Sequence, residues 1–264
     1  MSDQDWDTRQ AGKKGERILA PVLLDHRADA ISAEAARFAD RMAAVYLPGG
    51  GGTDWRNEVM AIHDPAHVLV LLQEAVDKRL LAKNNTNLVP EAARAQMDPE
   101  GQQLELMARI GLSDPDMLEA VAVHLRRDKA QGAEILAVID SLIKADGVID
   151  ATLAAGMNRE LAFARGFSEA GGFGFPTSLD DVAADLNLQI SELRSESSAR
   201  IELTYYAAFA SLGVVGVGHV ALARETPESH WMRTLIAQAE AEVLDQLAVE
   251  AGRAAARRQK GNAL

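Results

Sequence analysis

Apolar residues recur three and four positions apart along most of the chain, the spacing of one helix face. The clearest run is Val68, Leu69, Leu72, Val76 and Leu80. A second joins Trp231, Leu235, Ala239, Val243 and Leu247, with Ile236 and Leu244 beside them. No segment alternates apolar and polar residues with the β-branched enrichment of a strand. The pattern predicts an all-α fold, a multi-helix bundle with long C-terminal helices.

The predicted helices cover residues 15–25, 33–46, 54–62, 65–83, 99–110, 115–128, 132–145, 151–165, 179–210, 212–223 and 227–257. Several starts are written in local chemistry. Asp64-Pro65, Asp98-Pro99, Asp114-Pro115 and Thr226-Pro227 each set a side-chain acceptor before a proline whose missing N–H is not needed in a first turn. Ser178 with Asp181 resembles a capping box, and Ser32 precedes the run from Ala33 to Tyr46. A loop rich in glycine and phenylalanine separates an N-terminal helical domain (1–165) from a C-terminal long-helix region (179–264). The loop itself occupies 166–178.

Two features stand outside the amphipathic pattern. The stretch from Tyr205 to Ala223 holds no Lys, Arg, Asp or Glu, and Arg224 follows at once. Its 19 residues approach the length that crosses a bilayer. The alternatives are a buried central helix, a surface covered by another subunit, or a membrane-associated or membrane-inserting segment. The other feature is the loop, where glycines flank Phe167, Phe173 and Phe175. Rings there bury against the chain's own core or against a partner. Phe167, Phe173, Phe175, Tyr205, Tyr206 and Phe209 are therefore the candidate partner-binding residues.

Composition narrows the chemistry. The 264 residues include no cysteine, which removes disulfides, thiolate metal sites and cysteine nucleophiles, and fits a reducing compartment. With 27 Lys+Arg against 39 Asp+Glu the net charge is −12, and no basic stripe suits a nucleic-acid backbone. Positive charge gathers only at Arg253, Arg257, Arg258 and Lys260, as cations at a helix C-terminus or as a contact for acidic lipid or an acidic partner. The polar segment from Met1 to Glu16 lacks the apolar centre of a secretory leader.

For metal chemistry the candidates are His26, His63, Asp64 and Asp140. Their order, a histidine, then His-Asp, then a distant aspartate, resembles the ligand order of the HD metal-dependent phosphohydrolases, which are also all-α. That resemblance implies a divalent metal that activates water for attack on phosphorus. It covers four isolated positions, and Pro65 follows the His-Asp pair where the family continues a helix. A second likeness, Leu142 to Asp150, is similar to the helix–Ala-Asp-Gly turn of tellurite-resistance helical domains. The acid expected on their following helix is absent, and Gly147 and Asp150 also suit a helix end and a new start. No nucleophile with a paired base and no Gly-x-Ser-x-Gly appears. The leading expectation is a non-enzymatic cytoplasmic interaction or assembly protein that binds a protein partner or itself. An HD-like phosphohydrolase and a membrane-associated helical protein are the alternatives.

Overall fold

The structure is a computed structural model that describes residues 23–82, 98–174 and 177–261. Among these residues every regular element is helical. In chain order they are α1 (Leu24–Ala33), α2 (Ala35–Tyr46), α3 (Gly52–Ile62), α4 (Pro65–Ala82), α5 (Pro99–Gly111), α6 (Pro115–Gln131), α7 (Glu134–Asp146), α8 (Val148–Glu169), α9 (Leu179–Leu188), α10 (Ile190–Phe209), α11 (Gly213–Arg224) and α12 (Pro227–Gly261). The protein is an all-α multi-helix bundle with long helices near its C-terminus.

The capping chemistry works as the sequence predicts. Asp64 accepts from the backbone N–H groups of Ala66 and His67, Asp98 from Gly101, and Asp114 from Asp116 and Met117. Thr226 accepts from Ser229, and Ser178 with Asp181 completes a capping box. Several boundaries differ from expectation, and α1 fills the gap left between the predicted helices 15–25 and 33–46. Ser32 lies inside α1, because its hydroxyl donates to the His63 carbonyl at 2.6 Å instead of capping α2. Asp150 does not open α8, which already begins at Val148 after Gly147 turns the chain at φ 62°. The predicted helix 179–210 is two helices that turn at Gln189, and Leu186 and Leu193 meet Leu153 together in a small cluster. The predicted helix 15–25 lies mostly outside the described residues.

The 35-residue α12, about 52 Å long, is the spine of the bundle. Its first twenty or so residues pack Met232, Ile236, Val243 and Leu247 against Leu24 and Ile31 of α1 and Val68, Leu72 and Val76 of α4. Its second half, alanine-rich, closes a core with Phe38 and Met42 of α2, Trp55 and Val59 of α3, and Phe163 and Phe167 of α8. A third core joins Ile139, Leu142 and Ile143 of α7, Ile201, Tyr205 and Phe209 of α10, and Val217 and Val220 of α11.

Where α8 meets α12 the two backbones touch. A Cβ on Gly166 would stand 2.1 Å from the Val249 carbonyl oxygen, and one on Gly252 would stand 2.1 Å from that of Phe163. Buried Ala162, Ala248, Ala251 and Ala255 surround this crossing. Small residues here let two helices come closer than larger side chains permit, which explains the alanine-rich, aromatic-poor composition. Gly166→Ala or Gly252→Ala is expected to lower stability by about 1–3 kcal/mol in urea unfolding. Gly156→Ala, exposed in the same α8 with open space around it, is expected to raise it by about 0.5–1 kcal/mol. A stabilising Gly166→Ala would mean that the crossing is loose.

Candidate functional site

The charge-free stretch divides at a 3-10 turn, Ala210–Leu212, and at Gly213, whose φ of 66° and ψ of 174° favour glycine. After that turn α11 runs as a separate helix with two unlike faces. Val217, Val220 and Arg224 point inward and are buried. On the outside Leu212, Val214, Val215 and Leu222 are exposed, Val215 to 72% and Leu222 to 65%. Gly218 lies between Val214 and Leu222 at four-residue steps, and nothing stands within 4 Å of where its Cβ would be. The outer face is thus an apolar ridge with a notch, and the exposed His219 beside Val215 is the one ionisable side chain of α11 on it.

Arg224, the last residue of α11, anchors the helix. Its Nε donates to Asp98 (3.0 Å), its Nη2 to Glu105 (3.1 Å) and its Nη1 to Asp146. Asp146 also accepts from the Tyr205 hydroxyl and from Arg233, each at 2.7 Å. The guanidinium lies 5.2 Å from the Phe209 ring centroid. Side chains from α5, α7 and α10, and the Asp98 cap, converge on this one group, and α12 joins through Arg233 on Asp146. Burial alone would push the Asp146 carboxyl up, but Arg224 and Arg233 hold it below the usual range. For Asp98 burial wins, and its carboxyl is raised.

The residues expected to hold a metal are not brought together. His26 is half-buried on α1, Asp64 is occupied as the exposed cap of α4, and Asp140 pairs with Lys144 on the surface of α7. His63 is fully buried at the end of α3. Its Nδ1 lies 2.9 Å from the Val59 carbonyl and its Nε2 lies 2.9 Å from Arg159 Nη2. Arginine only donates, so Nε2 accepts and Nδ1 carries the proton. Both ring nitrogens are thus in use within the chain. Among the described residues no three His, Asp or Glu side chains gather to hold a metal ion.

The candidate partner-binding rings face inward. Phe167 belongs to α8, is buried, and stacks with Phe163; Tyr205, Tyr206 and Phe209 are buried in the α7–α10–α11 core. Phe173 is half-buried, 5.0 Å from Phe167, and with Tyr46 it lines a groove of about 480 Å³ beside Gly49 and Gly50. Phe175 lies outside the described residues. These rings meet the chain's own core because each sits on the inward side of its helix or turn. The C-terminal cations are likewise engaged internally: Arg253 pairs with Glu169, Arg258 with Asp54 and Glu58, and Lys260 donates to the Ala170 carbonyl.

Sequence reasoning missed the outward set Val214, Val215 and Leu222. The signal available for it was the Gly213 break followed by Arg224 at the far end. No family model, no curated protein and no solved structure matches the chain.

His63 yields a pH test. Burial, reinforced by the Arg159 charge, pushes its pKa from 6.5 down to about 4. The folded form therefore stays neutral where the unfolded chain takes up a proton, so stability present above pH 6.5 is lost as pH falls through about 4. Glu34, held near 2 against an ordinary 4.5, adds its loss only at lower pH. In urea titrations the stability advantage of wild type over His63→Gln should shrink between pH 6.5 and 4. A constant difference across that window would contradict the neutral, accepting His63.

Proposed function

We propose that the chain is a non-enzymatic helical assembly protein of the cytoplasm that docks through the outer face of α11, with a second copy of itself as the partner. The observation that carries this reading is the exposed Val214, Val215 and Leu222 around the open notch at Gly218. A ridge and a notch on one face suit a two-fold contact, in which each copy's valines enter the other's notch. A net charge of −12 drives copies apart, and α11 offers a surface where that repulsion is not concentrated. The absence of cysteine fits a reducing compartment.

One observation favours a second reading, contact with a membrane surface. The segment Ile190–Arg224 includes a window apolar and long enough to cross a bilayer, and only 28% of that window is buried. The turn at Ala210–Leu212 and Gly213 divides it into two helices, so this reading takes α11 as a surface contact.

Sedimentation velocity separates the readings. Wild type should show concentration-dependent dimers, and Val215→Glu should remain monomeric with an unchanged circular dichroism spectrum. Its side chain is already in water, so the fold is not at risk. Monomers of wild type at every concentration would refute self-assembly. Cosedimentation of such monomers with phosphatidylcholine vesicles, abolished by Val215→Glu, would favour the membrane reading.

A further inference from the structure

A second feature, separate from the α11 face, lies at the junction of α1 and α2. Glu34 occupies that junction, and three guanidiniums from three helices share its carboxylate. Arg109 of α5 approaches at 3.4 and 3.5 Å, Arg200 of α10 at 3.6 Å and Arg37 of α2 at 3.8 Å. None of these distances is that of a strong charge-assisted bond, which lies near 2.7–2.9 Å. One carboxylate is spread over three cations. The neighbouring Glu240 gives Arg109 only a 3.8 Å approach, because its closer partner is Arg27 at 2.8 Å.

A fourth guanidinium is less compensated still. Arg159 of α8 lies 3.8 Å above the Phe38 ring and donates one N–H to His63. Its Nε is buried without an acceptor, and among the described residues it pairs with no carboxylate. Arg200 Nη2 is buried without a hydrogen-bond acceptor as well. Burial, then the repulsion of Arg37 and Arg109, pull the Arg159 pKa down to about 10 despite the attraction of Glu34 and, more weakly, of Asp245. Positive charge gathered this way inside an acidic protein is costly unless an anion compensates it.

The geometry points to a binding site for a phosphate group at this cluster, built by Arg37, Arg159 and Arg200 with Arg109 behind them. Planar guanidinium forks suit the oxygens of a phosphate dianion. The cluster is reached from solvent, since the side chains of Arg37 and Arg200 are 50% and 27% exposed. An incoming phosphate meets these two first and gives Arg159 and Arg200 the acceptors they lack. Glu34 remains on Arg109, its closest partner, and the outlying side chains of Arg37 and Arg200 swing aside to bare Arg159 Nε and Arg200 Nη2, which are buried without the anion.

The test is thermal melting with inorganic phosphate titrated at constant ionic strength against sodium chloride. Wild type should show a saturating rise in Tm. Arg200→Gln and Arg37→Gln should each weaken the phosphate affinity at least tenfold, while Arg194→Gln, which removes an exposed ion pair with Asp150, should leave it unchanged. Arg159→Gln should abolish the response; if that variant does not fold, the half-exposed Arg37→Gln carries the result. A second arm offers the same chemistry on phosphatidic acid vesicles. Cosedimentation lost in Arg200→Gln assigns the site to a lipid headgroup, and binding of soluble phosphate alone assigns it to a soluble phosphate or phosphomonoester. A wild-type response equal to that in chloride, or one retained by Arg37→Gln and Arg200→Gln, overturns the proposal.

Discussion

One guanidinium sets the arrangement of half the bundle. Arg224 is 3% exposed in its side chain, and it reaches Asp98, Glu105 and Asp146 at once. Through Asp146 it also engages Tyr205 and Arg233. A buried charge of this kind is not a general source of stability, since its desolvation offsets much of the attraction. What it does is penalise every alternative packing, because any shift of α11 leaves several carboxylates in a poorly solvated site without their cation. The network therefore fixes where α11 sits, and so which of its valines enter the core and which remain outside.

The other half of the molecule is held by shape. Gly166 and Gly252 let α8 and α12 touch backbone to backbone, and alanines fill the space beside them. The aromatic rings of the protein concentrate around that contact: Phe38, Tyr46, Trp55, Phe163, Phe167 and Phe173 form a connected chain of ring contacts. Charge returns at the Glu34 junction, where four helices bring arginines together around too few carboxylates. The protein thus combines two tightly defined joints, one ionic and one steric, with two surfaces that its own side chains leave incompletely satisfied.

Much of this was legible in the chain because the chemistry involved is local. Aspartate or threonine before proline marks a helix start whatever surrounds it, and those four starts are found in place. The 3.6-residue periodicity of α4 and α12 likewise needs no tertiary partner to be read. The ionic joint was not legible, because Arg224 and Asp98 are 126 residues apart and no periodicity links them. The separate places of His63 and Asp64 were not legible for the opposite reason: adjacency suggests a shared task, but the chain turns between them, so one is a buried acceptor for Arg159 and the other an exposed cap. The stretch 205–223 was visible as charge-free, but the turn at Gly213 and the Arg224 anchor, which together set Val217 inward and Val215 outward, were not. Phe167 was read as part of a loop because glycines surround it, whereas Gly166 is a packing contact inside α8.

The most direct test of the ionic joint is equilibrium urea unfolding of Arg224→Met beside Arg194→Met, which removes an exposed ion pair with Asp150. Loss of the buried cation strands Asp98 and leaves Asp146 only Arg233 and Tyr205, so Arg224→Met should cost about 3–5 kcal/mol and the surface control less than about 1 kcal/mol. A cost for Arg224→Met no larger than that of the control would contradict the claim that this residue holds α11 in place.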